Sequence, residues 1–262
     1  MITIAEKFAE LKERRETGLI AYLTAGYPTE DESRRLFNAA AESGADILEI
    51  GIPFSDPVAD GPVIQESSQQ ALKNGMNLRT ILRICRDLNG NLPIPHLLMG
   101  YYNPILRFGL RRFANACAEG GVAGIIVPDL PPEECVPLRK ELGRHAIPLI
   151  RFVTPYTRES RIKTIVSDAD GFVYCISQAG VTGTGQRYAK TLLSRLDRIR
   201  RLSPAPVAVG FGISLDEQIR ELKSHADAII MGSALIRAIA GGGCAAMKKL
   251  IAHCKDTLRS AP

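Results

Sequence analysis

One acidic residue, Glu49, interrupts an otherwise apolar run, Leu48-Glu49-Ile50-Gly51-Ile52. The run has the branched side chains of a buried strand, and side chains on a strand point alternately to its two faces. With Leu48 and Ile50 turned toward covering helices, Glu49 points the other way, into the interior of the sheet. A carboxyl group placed there loses its water, its pKa rises, and it can give a proton as well as take one. The competing reading is a structural carboxylate paired with a buried base. The neighbouring strand-like runs at 19–24 and 95–100 contain no Lys or Arg to serve as that base.

Asp60, in Asp60-Gly61-Pro62, admits two readings: the N-cap of a following helix, a common role for Asp, or a second acid set opposite Glu49. Pro53 and Pro57 exclude a helix between the two acids and leave a loop free to fold over the strand end, so spacing alone does not choose.

Three glycine-bearing segments, 180–185, 210–214 and 232–233, each follow a strand-like run. Glycines let backbone N–H groups approach an anion, and the helix N-termini that follow add partial positive charge. One Gly-x-Gly would mean only a tight turn, but three successive loops of this kind indicate a backbone cradle for a phosphate.

Other ionisable residues say less. His96 lies within a strand-like run and reads as a packed core histidine, while His145, His225 and His253 fall on or near helices as surface residues. Tyr174 alternates with Phe172 and Ile176, which makes core packing its first role. The six cysteines form no C-x-x-C pair and no Cys/His grouping of zinc spacing, as expected of reduced, packed thiols in a cytoplasmic protein. No metal site is legible, and no strand lysine suggests a Schiff base.

Positioning these groups requires a particular frame. Apolar runs rich in branched residues recur at 19–24, 46–52, 95–100, 124–128, 147–153, 171–176, 206–209 and 228–231, separated by amphipathic stretches. Near-continuous hydrophobicity suits parallel strands covered on both faces, and eight strand–helix units close a (β/α)₈ TIM barrel. The chain's 262 residues fit the roughly 250 typical of that α/β fold. Such barrels keep their chemistry at the carboxyl ends of the strands, where Asp60 and the glycine loops fall. An open dinucleotide-binding sheet would need G-x-G-x-x-G after the first strand, and Thr24-Ala25-Gly26-Tyr27-Pro28 stands there instead.

Helix starts are marked by capping boxes at Thr29–Glu32 and Ser214–Glu217 and by Pro131 and Pro132, helix ends by Gly44 and Gly143. No linker divides the chain, so a single domain spanning 1–262 is expected, with residues 1–15 as an extra N-terminal helix.

No apolar stretch is long enough for a membrane span or signal peptide, and 33 Lys plus Arg against 28 Asp plus Glu is too small an excess to indicate nucleic acid. The cluster Arg195, Arg198, Arg200 and Arg201 reads as the solvated face of an amphipathic helix.

Residues 48–65, LEIGIPFSDPVADGPVIQ, resemble the signature segment of tryptophan synthase alpha chains. Similar matches run through 98–104, 127–131, 177–183, 210–214 and 232–234, almost end to end. The resemblance implies retro-aldol cleavage of indole-3-glycerol phosphate to indole and glyceraldehyde 3-phosphate. It makes Glu49 the acid–base catalyst and Asp60 the acceptor of the indole N–H, with Tyr174 beside the catalytic acid. Tyr22, Ile64 and Phe211 would line the indole pocket, and Gly183, Gly212, Gly232 and Ser233 would cradle the phosphate. Thr182 would lie on a lid that excludes water. Position 22 is Tyr where many relatives have Phe, and position 178 is Gln where Arg is frequent; these departures, with the segment 184–187, touch the lid and pocket lining rather than the reaction.

The resemblance further implies no cofactor in this chain, and as partner a beta chain carrying pyridoxal phosphate, in an α₂β₂ complex that receives indole through a tunnel. Residues 53–60, 100–104 and 129–132 would form much of the contact. The alternatives are a stand-alone lyase that releases free indole, another phosphosugar barrel enzyme, and an inactive subunit that only activates its partner.

Overall fold

The computed structural model describes residues 2–177, 190–210 and 216–259. Within them lie eight parallel strands: β1 Gly18–Thr24, β2 Ile47–Gly51, β3 His96–Met99, β4 Gly124–Ile126, β5 Arg151–Val153, β6 Val173–Ile176, β7 Val207–Gly210 and β8 Ala228–Met231. The helices are α1 Ile4–Glu13, α2 Glu30–Glu42, α3 Pro62–Lys73, α4 Leu78–Leu88, α5 Tyr102–Phe108, α6 Leu110–Glu119, α7 Val136–Gly143, α8 Glu159–Val166, α9 Lys190–Leu202, α10 Asp216–Leu222 and α11 Ser233–Arg259.

The strands pair in the order β4-β3-β2-β1-β8-β7-β6-β5. The two ends of that sheet meet in a single parallel bridge between Ile125 and Leu149. There Ile125 N–H donates to Pro148 O and Ile150 N–H to Ile125 O, each at 2.9 Å. The sheet is therefore a barrel closed in chain order, as the eight apolar runs require.

Strand alternation divides the core in two. Ile20, Ile47, Leu97, Ile126, Phe172, Ala208 and Ile230 fill the barrel interior, where α1 adds Ile4, Phe8 and Leu11 as a plug. Phe8 meets Phe172 with ring centroids 6.1 Å apart. The opposite-facing residues, among them Leu19, Leu48, Ile50, Leu98, Val173 and Ile229, pack against the outer helices. His96 belongs to that outer layer; it is buried, its Nε2 lies 3.0 Å from Gly120 O, and burial lowers its pKa to about 4. It is a neutral core residue.

Several strands are shorter than their apolar runs because prolines lack the N–H that a ladder needs. The run 147–153 contributes a ladder only at Arg151–Val153, with Pro148 reduced to an acceptor. The run 124–128 stops at Ile126, before the turn that contains Pro128.

Helix ends also depart from expectation. α1 carries a full capping box between Thr3 and Glu6. At α2 only half of one forms: Thr29 accepts from Glu32 N–H, while the Glu32 carboxylate pairs with Arg35. The box at 214–217 reaches outside the described residues. Pro131 and Pro132 sit in a turn, and Pro137 occupies the first turn of α7. Gly44 does follow a helix end, with φ +103°, whereas Gly143 is the last residue of α7 and the left-handed position falls on Ala146. The arginine cluster is more than a solvated face. Arg195 donates to the main-chain carbonyls of Thr154, Pro155 and Thr157, holding the loop after β5, and Arg198 and Arg200 pair with Glu159 and Asp227.

A buried ion cluster ties the last helix to the amino end of the barrel. Lys255 of α11, only 3% exposed, pairs with Asp46 at 2.6 Å and Glu16 at 3.2 Å. Asp46 also accepts Leu19 N–H of β1 at 2.7 Å. Removing the ammonium leaves Asp46 without its cation and Glu16 with Arg259 alone, at 3.3 Å. We expect Lys255→Met to cost about 3 kcal/mol, read as a lower midpoint of urea unfolding at neutral pH.

Candidate active site

Glu49 sits in β2 opposite Tyr22 of β1 on one side and Leu97 of β3 on the other. Those partners share the inner layer, so the carboxyl points into the barrel. It is fully buried, and neither carboxyl oxygen has a hydrogen-bond partner among the described residues. Burial, and after it the negative charge of Asp60, pushes its pKa up to about 8. No base reaches it, so the ion-paired structural role is excluded among the described residues. At neutral pH it is a protonated acid.

Asp60 lies in the loop between β2 and α3. The N-cap of α3 is Gly61, with Pro62 in the first turn and no side-chain cap. The Asp60 carboxylate instead accepts the Tyr101 hydroxyl at 3.0 Å, and its main-chain oxygen accepts Gln65 Nε2 at 2.9 Å. Burial raises the carboxyl to about 6, with the Tyr101 hydrogen bond acting in the opposite sense. Of the two roles left open by spacing, the helix cap is the one the geometry removes.

Tyr101 itself is a site residue that the sequence reading did not single out. It directly follows Gly100 at the carboxyl end of β3, is buried, and stacks on Phe54 with centroids 5.2 Å apart. Its position was the available signal, an aromatic on the end of a barrel where site residues gather.

Two further tyrosines stand close to the two acids. Tyr22 and Tyr174 are buried, and burial together with the nearby Glu49 and Asp60 charges holds both hydroxyls above their usual range, so they stay neutral. Tyr174 stacks on Phe152 at 4.8 Å. Ile64, in the first turn of α3, packs against both the inner and the outer core. Glycines give the tyrosines their room. A Cβ at Gly51 would overlap the Tyr22 hydroxyl, one at Gly210 would come within 2.8 Å of the Tyr174 hydroxyl, and one at Gly232 within 3.3 Å of the Tyr22 ring. Gly232 thus packs on an aromatic as well as preceding Ser233, the first residue of α11. Thr182, Gly183, Phe211 and Gly212 lie outside the described residues, as do Gln178 and the segment 184–187.

Chemically, the described part of the site is one protonated acid and one ionised acid among aromatic rings, the pattern of two titratable groups whose environments push their pKa values apart. Among the described residues no group of three or more His, Cys, Asp or Glu is placed to hold a metal, and no helix is long and apolar enough to cross a membrane.

Comparison with known proteins gives one answer. The family model described as tryptophan synthase alpha chain matches residues 8–260. A tryptophan synthase alpha chain of Aquifex aeolicus is 41% identical over 98% of this chain and 98% of its own length. One from Methanosarcina mazei is 44% identical over 91% of this chain and 87% of its own. Among solved structures, tryptophan synthase subunit alpha of Legionella pneumophila superposes with a TM-score of 0.87 at 32% identity, covering 98% of both chains. A chain of tryptophan synthase from M. tuberculosis, in its aminoacrylate-bound form, gives 0.89 at 30% identity, covering 98% of this chain and 99% of that one. Resemblance in one signature segment, close superposition of the barrel and near-complete coverage of both sequence and structure agree, and the chain belongs to the tryptophan synthase alpha chain family.

Proposed function

We propose that Glu49 and Asp60 carry the carbon–carbon lyase reaction of this family, the cleavage of indole-3-glycerol phosphate into indole and glyceraldehyde 3-phosphate, within one barrel domain spanning 1–262. The observation that carries this reading is the Glu49 carboxyl: buried, without a hydrogen-bond partner among the described residues, and protonated at neutral pH beside an acid that is ionised.

The proton balance suits a single group. Breaking the bond between indole C3 and the side chain needs one proton added to C3 and one removed from the adjacent hydroxyl. Protonated Glu49 gives the first, and the resulting carboxylate takes the second as the bond electrons return to the ring and the aldehyde forms. Protonation at C3 makes that carbon tetrahedral and leaves positive charge on the ring. Asp60, accepting the indole N–H, stabilises that charge most effectively where water is excluded. Tyr22, Ile64 and Phe211 hold the ring, with Tyr174 beside Glu49 and Thr182 on a lid. The phosphate is bound by main-chain N–H groups at Gly183, Gly212, Gly232 and Ser233. The N-terminus of α11, which begins at Ser233, supplies N–H groups that a helix leaves free, and partial positive charge.

The chain has no cofactor of its own; pyridoxal phosphate belongs to the beta chain, with which this family partners. We place the two in a cytoplasmic α₂β₂ complex that passes indole between them. Supporting this, three well-exposed apolar side chains lie after successive strands at the carboxyl end of the barrel: Val58 after β2, Leu106 after β3 and Val136 after β4. Exposed apolar side chains on three neighbouring loops and helix starts suit a contact surface if they form one patch.

Glu49→Gln and Asp60→Asn should each lower the rate of indole release by about 10² or more while retaining phosphate binding; wild-type rates would end this mechanism. Because Glu49 must be protonated and Asp60 ionised, kcat/KM should fall above about pH 8 and below about pH 6. In Asp60→Asn the carboxyl of Glu49, relieved of a neighbouring negative charge, should titrate at lower pH, measurable by infrared or carbon NMR; an unchanged value would mean the two groups are not coupled. Added beta chain should raise the lyase rate and sediment with this protein as a tetramer. A beta chain that neither bound nor changed the rate would rule the complex out.

A further inference from the structure

Tyr101 occupies a fixed post. The residue before it, Gly100, donates its N–H to Ile126 O of β4 at 3.0 Å. The residue after it, Tyr102, donates its N–H to the Asp129 carboxylate at 2.9 and 3.2 Å. Between these anchors the Tyr101 ring lies under Phe54, and its hydroxyl meets two consecutive residues of the loop after β2. It accepts Ala59 N–H at 3.0 Å and lies 3.0 Å from Asp60 Oδ2. The amide can only donate, so the single hydroxyl proton is left for Asp60. A carboxyl oxygen that receives this proton is an acceptor, which is its ionised form.

We propose that Tyr101 is a positioning residue for the lyase reaction: its hydroxyl, held as an acceptor by Ala59 N–H, donates to Asp60 and fixes that carboxylate, with its loop, to the end of β3. The inference rests on the role given to Asp60 above and adds what orients it. The titratable groups around the pair are Glu49 from β2, Tyr22 from β1, Tyr174 from β6 and Asp129 after β4. None of these is a cation, so among the described residues the Tyr101 hydrogen bond is the interaction that favours the charged form of Asp60 against burial.

The test is Tyr101→Phe in the full chain, which keeps the ring and its stack, assayed for indole release from indole-3-glycerol phosphate across the pH range, with circular dichroism to check the fold. Loss of a hydrogen bond to a charged group should lower kcat about tenfold at neutral pH, with KM changed by no more than about twofold. Without the donor Asp60 is harder to ionise, so the acid limb should move to higher pH; the deficit then widens below neutrality and narrows above it. Phe54→Leu, which loosens the stack but keeps both hydrogen bonds, should leave the acid limb in place. Combining Tyr101→Phe with Asp60→Asn should add no further loss. A uniform loss with an unshifted profile would assign Tyr101 to loop packing and overturn the inference. So would wild-type kinetics in Tyr101→Phe alongside an inactive Asp60→Asn, leaving the role of Asp60 intact. An Asp60→Asn variant as fast as wild type would instead remove the reading of Asp60, and this inference with it.

Discussion

An unpartnered carboxyl in the middle of a packed barrel is tolerated only as the neutral acid, because the charged form would cost several kcal/mol in a medium of low polarity. Much of what surrounds Glu49 serves that condition. The residues beside it in the sheet, Tyr22 and Leu97, bring aromatic and aliphatic surface instead of a cation. Below it the inner layer is filled by Ile20, Ile47, Phe172 and the α1 plug. The amino-end side of the acid is thus packed with apolar side chains. Strand β2 itself shows the contrast. Asp46, just before the strand, meets Lys255 at 2.6 Å and fastens a helix. Glu49, three residues on, meets no base among the described residues and keeps its proton. Stability is placed at one end of the barrel and chemistry at the other.

The two acids of the site owe their difference to different kinds of support. Glu49 is held by ladder pairing on both sides, so its position is as rigid as the sheet. Asp60 is on a loop, and its place depends on a phenol from the next strand end. Precision of the first kind comes from backbone pairing, and of the second from a few side-chain contacts.

How much of this is legible in the sequence follows from the same distinction. The eight strands could be read because each is a continuous apolar run buried on both faces, and Glu49 could be read because one charge in such a run has a defined face. Their lengths could not, since Pro128 and Pro148 end ladders that hydrophobicity alone would extend. Asp60 stayed ambiguous because its partner, Tyr101, is remote in the chain and joined to it only through the register of β2 with β3. Arg195 shows the same limit from the opposite side: a surface-helix pattern does not reveal that three loop carbonyls lie within its reach. Local chemistry is written in neighbouring residues, while contacts across a barrel's rim depend on closure of the whole sheet.

Loop support also gives a physical route by which a protein bound at the barrel mouth can act on the reaction. Val58 is 84% exposed and lies two residues from Asp60 and one from the amide that fixes the Tyr101 hydroxyl. A protein seated on Val58 would bear on the loop segment that carries the Asp60 carboxylate and would leave Glu49 where the sheet holds it. Under the reaction proposed above, binding energy spent there would alter how well charge on the substrate ring is met without disturbing the proton donor, since only interactions that differ between ground and transition states change the rate. A strand paired on both sides and a loop held by a few side-chain contacts thus differ in how far a contact at the barrel mouth can shift the carboxyl each carries, Glu49 least and Asp60 most.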